Sequence, residues 1–159
     1  MANTQSMCTS FLGELLSATH NFSSANPAQT ASTANTFKAA LYLASATVNA
    51  STTAYSVTGE VSGTNYTAGG VTVTNATNPA STNSSVTAGV AYWTPSASIV
   101  YSTVTLSTAF DTMLLYNSTQ TNKAVAVYTF GSQTITAGTF TLTMPSNSTT
   151  TALVRLSTT

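Results

Sequence analysis

The sequence predicts a mainly β protein, an antiparallel β-sandwich of jelly-roll or immunoglobulin-like type with about eight strands and one N-terminal α-helix. Three observations carry this. Short runs rich in β-branched and aromatic residues recur after residue 36, separated by Gly, Asn, Ser and Pro. No helical periodicity falls between those runs, which favours antiparallel pairing over strand–helix–strand units. Only the first twenty residues place apolar side chains at three- and four-residue spacing.

That N-terminal helix gathers Cys8, Phe11, Leu12, Leu15, Leu16 and Thr19 on one broad face. His20 and Asn21 stand where it would end, near its last carbonyls. Gly13 weakens it by about 1 kcal/mol relative to Ala. A helix of this length is marginal alone, so it must dock on something. Residues 21–36 follow as a polar stretch with Pro27 and no periodicity, read as a linker or long loop. The chain thus divides into residues 1–36, a helix and linker able to act as an anchor arm, and residues 37–159, the sandwich.

The first strand, FKAALYL, places Phe37, Ala39, Leu41 and Leu43 on one face and Lys38 and Tyr42 on the other. Further strands are expected at 55–61, 71–75, 90–93, 99–106, 112–116, 125–130, 139–144 and 153–156. Residues 66–74 (YTAGGVTVT) and 135–143 (ITAGTFTLT) echo each other, each a Thr-Ala-Gly corner leading into alternating residues. Gly69 and Gly138 are expected to supply a positive φ at those corners. The echo reads either as shared turn chemistry in a Thr-rich chain or as two related hairpins in opposite sheets.

Composition narrows function more than fold. Of 159 residues only Lys38, Lys123 and Arg155 are basic and only Glu14, Glu60 and Asp111 acidic, for a formal net charge of zero. Hydroxyls and amides must solvate the surface, and a neutral surface does not repel its neighbours. With 42% hydrophobic residues, seven tyrosines, six phenylalanines and one tryptophan, the chain has material for a core and is not of disordered type. Nucleic-acid binding is excluded on magnitude, because three scattered cations cannot neutralise a phosphate track.

Catalytic patterns are missing too. His20 is the sole histidine, with no Gly-x-Ser-x-Gly elbow to hold a nucleophile, and it reads as a helix-end or packed residue. The three acids lie far apart, so no carboxylate pair is set up for glycoside hydrolysis. Asp111 is expected to cap a turn, and Glu60 to close a hairpin or pair with a lysine. One His, one Cys and three scattered acids make no zinc set, and a calcium site would be weak; no metal or cofactor is expected. Cys8, unable to form an intrachain disulfide, reads as a small buried thiol on the helix, with an intermolecular bridge or a reactive thiol as the other readings. The N-terminus lacks a basic n-region, and no run approaches the ~20 apolar residues of a membrane helix. The Asn-X-Ser/Thr triplets at Asn21, Asn65, Asn117 and Asn147 are those expected by chance in so Asn/Ser/Thr-rich a chain. Tyr92, Trp93 and Tyr101, in a chain with many Asn, leave room for a sugar-binding surface, unless the rings are core filler.

The opening MANTQSMCTSFLGELLSATHNF, GEVSGTNYTAGG and LLYNSTQTNKAVAVYTFG resemble small β-rich structural proteins of tailed bacteriophages, and the resemblance covers most of the chain. It implies a virion component without a catalytic motif: a capsid decoration (cement) protein, a head fibre or a tail-tip component. The expected function is therefore non-enzymatic. It is binding of the assembled head lattice at the capsid surface, with the major capsid protein or further copies as partners and neither nucleic acid nor membrane involved. The alternative is a tail-tip or fibre module that recognises a host glycan. Met7, Phe11, Leu12, Leu15 and Leu16 are the expected partner interface, unless the helix folds back to cover its own sandwich.

Overall fold

The structure, a computed structural model, describes residues 2–23, 34–75, 77–82 and 89–158. In chain order the elements are β1 (Ser6–Met7), α1 (Thr9–Leu16), β2 (Phe37–Leu43), β3 (Val71–Thr72), β4 (Ala80–Ser81), β5 (Val90–Trp93), β6 (Ile99–Asn117), β7 (Lys123–Leu142) and β8 (Val154–Ser157). They form a mainly β, antiparallel sandwich. A five-stranded sheet of order β1-β7-β6-β2-β3 faces a three-stranded sheet of order β4-β5-β8. Residues 24–33 of the expected linker lie outside the described residues.

A single hairpin makes the frame. β6 and β7 run for 19 and 20 residues and pair along their length. The sequence breaks each into two strands, because apolar alternation lapses around Ser107–Ala109 and Gly131–Thr134. The ladder carries the backbone through both gaps by local irregularities that cancel. An extra residue on β6 at Thr103 (φ 53°) is offset by one on β7 at Ala137 (φ 46°). Further shifts between Leu106 and Thr112 do the same, so Ile99↔Leu142 and Leu114↔Val127 share one register.

The echo resolves at the same place. Gly69 and Gly70 do take positive φ (88° and 68°) in a turn before β3. In the second copy, however, Ala137 rather than Gly138 carries the positive φ, inside β7. The two motifs are therefore a turn and a bulge, not equivalent hairpins.

The core lies between the sheets. Phe37, Leu41, Leu106, Phe110, Met113, Leu114, Leu115 and Val125 are fully buried. Trp93 of β5 meets Phe22 and Phe37, with ring centroids 4.8 and 5.8 Å away, and joins the small sheet to the large one. Its indole N–H donates to Asn75 Oδ1 and the Thr77 carbonyl, so the buried ring leaves no donor idle.

The outer edge of β2 is finished without a full strand. β3 pairs only with Lys38 and Ala39. Beyond them, Leu41 N–H donates to Tyr66 Oη, Val61 N–H to the Leu41 carbonyl and Leu43 N–H to the Gly59 carbonyl. Residues 55–61, expected as a strand, supply this edge as an irregular loop, with an isolated Tyr42↔Glu60 bridge. Gly70 backs directly onto β2: a Cβ there would sit 1.7 Å from the Ala39 carbonyl oxygen.

Glu60 pins that loop. Its buried carboxylate accepts from Tyr66 Oη (2.8 Å) and Gly69 N–H (2.8 Å) at Oε1 and from Tyr55 Oη (2.6 Å) at Oε2. No lysine pairs with it among the described residues, contrary to one sequence expectation; three hydrogen bonds hold it instead. Burial, and in second place the nearby Glu60 charge, pushes the Tyr116 phenol up to about 12. Glu60→Ala should lower unfolding free energy by about 3 kcal/mol, because it strands the Gly69 and Tyr66 donors. Glu60→Gln should cost about 1 kcal/mol, since an amide can accept at Oε1 and donate to Tyr55 Oη. Urea unfolding of both variants measures the difference; equal losses would show that the hydrogen bonds are not what holds the loop.

Candidate interaction surface

The N-terminal segment is fastened to the sheet before α1 begins. Asn3 Nδ2 donates to the Leu43 carbonyl (3.0 Å) and to Asp111 Oδ1 (2.8 Å), while its Oδ1 accepts from Val48 N–H. Asp111, expected to cap a turn, instead sits within β6 and takes this bond and one from Thr112 Oγ1. β1 pairs with Ala126 and Val127 of β7, and Cys8 N–H donates to the Val125 carbonyl. Cys8 is fully buried; burial, then the Glu14 charge, pushes its thiol up to about 11, so it is a poor nucleophile.

α1 is shorter than its periodicity suggests. It spans eight residues, and Ala18 (φ 55°) turns the chain back toward the sheet. The reversal brings His20 under the helix rather than onto its end. There His20 Nε2 donates to Glu14 Oε2 (2.7 Å), and Lys123 Nζ donates to Glu14 Oε1 (2.7 Å). His20 Nδ1 accepts from Asn117 Nδ2 (3.1 Å), which also donates to Asn35 Oδ1. Asn117 Oδ1 accepts from Thr119 and Gln120 N–H, so one amide links the N-terminal segment to the β6–β7 turn.

This geometry fixes the protonation state. An imidazole that donates at Nε2 and accepts at Nδ1 is neutral. Burial lowers the affinity of His20 for a second proton, although the Glu14 hydrogen bond and charge oppose it. Burial alone would raise the Glu14 carboxyl, but bonds and charge from Lys123 and His20 outweigh it and hold it below 4.5. The histidine side chain has no accessible surface, and the Glu14 side chain is 13% exposed. Among the described residues no three His, Cys, Asp or Glu side chains gather as metal ligands.

The apolar face of α1 is divided. Phe11 is fully buried, edge-on to His20 and Phe22 (centroids 5.0 and 5.9 Å). Met7 belongs to β1 and is half-buried, as is Leu15. Leu12 and Leu16 turn outward, 47% and 93% exposed. Beside them a cavity of about 260 Å³ opens between α1 and the small sheet, lined by Phe11, Leu15, Phe22, Tyr92, Trp93 and Leu156 among others. Of the five expected interface residues, then, Leu12 and Leu16 face solvent with Leu15 at the cavity wall, while Phe11 belongs to the core and Met7 to the sheet. The helix both docks on its own sandwich and leaves one apolar flank uncovered.

Of the aromatics considered for sugar binding, Trp93 and Tyr101 are each 2% exposed and offer no face to a ligand. Tyr101 Oη instead donates to the Ala39 carbonyl. Tyr92 alone is half-buried at the cavity. No protein-family model, curated protein or solved structure matches this chain.

Both His20 and Glu14 have lowered pKa values in the folded state, so the unfolded chain binds protons first and acid favours unfolding. Stability should be level above the ordinary histidine value of 6.5, fall as pH drops below it, and fall further below 4.5. In His20→Gln the fall between those two values should vanish while the lower one remains. Thermal melts across that range test it, and an unchanged upper limb in the variant would assign the pH dependence elsewhere.

Proposed function

We propose that this chain is a non-enzymatic structural protein of a phage virion, a capsid decoration or cement protein that binds the assembled head lattice through protein–protein contacts. The observation that carries the reading is the outward flank of α1. Leu12 and Leu16 are large apolar side chains left in solvent on a helix whose other face is already docked. Single exposed leucines are ordinary. Two on one short helix, next to an apolar cavity, form a patch of the kind that other proteins cover.

The electrostatics support the same reading. Few charges remain free to hydrate or repel, so contacts with a lattice would rest on burial and change little with salt. Modest contacts per copy suffice when many copies bind a repeating surface. The phage resemblance of the sequence supplies the virion context, with the major capsid protein as the partner and the capsid surface as the location. With Trp93 and Tyr101 buried, the glycan-binding alternative keeps only Tyr92 of the three aromatic faces that motivated it.

Two measurements test the proposal together. Antibody to this chain, followed by gold labelling of virus particles, should decorate heads; label confined to tail ends, or none on intact particles, would overturn it. The double substitution Leu12→Ser/Leu16→Ser should leave stability within about 1 kcal/mol, because neither side chain is buried. The same variant should bind stripped heads at least about tenfold more weakly. Undiminished binding would remove α1 from the interface.

A further inference from the structure

β7 has an unfinished side. β6 covers its inner edge throughout, whereas β1 covers its outer edge only at Ala126 and Val127. From Tyr128 to Leu142 no described strand lies against that edge. Backbone donors and acceptors along such an edge invite a further strand, and monomeric proteins usually guard it with charges, prolines or bulges. Residues 124–154 contain no Asp, Glu, Lys, Arg or His, and residues 128–142 no proline. Bulges interrupt the edge at residues 130–132 and near Ala137. Beyond Ala137 the register is regular, with Tyr101↔Phe140, Val100↔Thr141 and Ile99↔Leu142. Residues 138–142, GTFTL, are the one unguarded run.

We propose that this run is a self-association site, where two copies pair antiparallel about a two-fold axis through Phe140. The sequence of the run argues for a second copy over a different partner. Its side chains alternate, with Gly138, Phe140 and Leu142 half-buried on the core side and Thr139 and Thr141 exposed on the other. Antiparallel pairing centred on Phe140 sets Phe140 against its own counterpart, Thr139 against Thr141, and Gly138 against Leu142. Aromatic meets aromatic on one face and threonine meets threonine on the other, both favourable cross-strand pairs, while glycine leaves room for leucine.

Charge points the same way. An isologous contact requires a patch to tolerate itself. A charge-free edge on a chain of formal net charge zero does so, and it offers nothing to select a charged partner. Phe140 is also already ordered, with ring centroids 5.2 Å from Phe110 and 5.3 Å from Phe130, so little side-chain freedom is lost on pairing. The pairing would extend the five-stranded sheet across the axis into one continuous sheet. It uses a surface separate from α1 and does not depend on the virion reading.

Sedimentation equilibrium of the full chain over a dilution series is the test, with a limiting mass of twice 16.3 kDa expected. Thr139→Lys/Thr141→Lys places like charges opposite each other at two pairs and should raise the dimer dissociation constant by about tenfold or more. Thr139→Lys/Thr141→Glu places unlike charges at the same pairs and should restore association. In the unsubstituted chain, amides of residues 138–142 should exchange more slowly as concentration rises, a readout that needs no variant. A monomer at every dilution overturns the proposal, as does a dimer indifferent to the two lysines. Failure of the lysine–glutamate variant to recover overturns the register centred on Phe140.

Discussion

A buried carboxylate does for the large sheet what a missing strand would otherwise do. β2 is paired on one side by β6 along its full length, but β3 reaches only two of its residues. The carbonyls and amides that remain cannot be left in a core as apolar as this one. The segment from Gly59 to Tyr66 supplies them, and a segment without a ladder of its own needs another source of order. Glu60 provides it by drawing Tyr55, Tyr66 and Gly69 onto one side chain. Tyr116 Oη donates to the Gly69 carbonyl, a strut from β6 to the loop, and Tyr101 Oη to the Ala39 carbonyl, a strut from β6 to β2. Desolvating a carboxylate is costly, and three good donors on it are the condition for its being there.

The same logic explains where the other charges went. Glu14 is held by Lys123 and His20, Asp111 by Asn3 and Thr112, and Arg155 donates to the Thr149 and Thr150 carbonyls. All three acids and two of the three basic residues are therefore engaged within the chain. Hydroxyls cover what is left. Such a surface hydrates adequately but repels weakly, and recognition on it falls to apolar flanks and open backbone.

Much of this was legible in the sequence, and the exceptions share a cause. β2 and β5 sit where alternation and aromatic content place them, because each is a strand whose side chains alone decide its pairing. β6 and β7 were cut in two by runs such as Ser107–Ala109, where hydroxyls give no period and the ladder with the partner strand supplies continuity. β1 and β4, two residues each, are too short for any period to register. On α1, the helical spacing put Leu12, Leu15 and Leu16 in the helix that the structure forms. It could not tell which flank of α1 meets its own sheet, so it grouped the buried Phe11 with the exposed Leu12 and Leu16. The Glu14–His20–Lys123 cluster had no local signal, since its members are brought together by one turn at Ala18 and by a contact across 109 residues.

The two uncovered surfaces differ in what they can specify. The flank of α1 is apolar, and apolar contact is non-directional, so its selectivity must come from the shape of the cavity beside it. A β-edge is directional: hydrogen bonds fix both spacing and register, and a slip of one residue would set the Phe140 face of one copy level with the threonine face of the other. The edge therefore suits a contact that must always form in one way, and the helix flank suits one that adapts to a neighbour. If both are used, edge pairing comes first in the logic of assembly. A two-fold pair carries two α1 flanks, and attachment to a repeating surface becomes bivalent without any change in the contact itself. Bivalency then compensates for the smallness of two leucines, provided the two flanks match the spacing of the surface they meet.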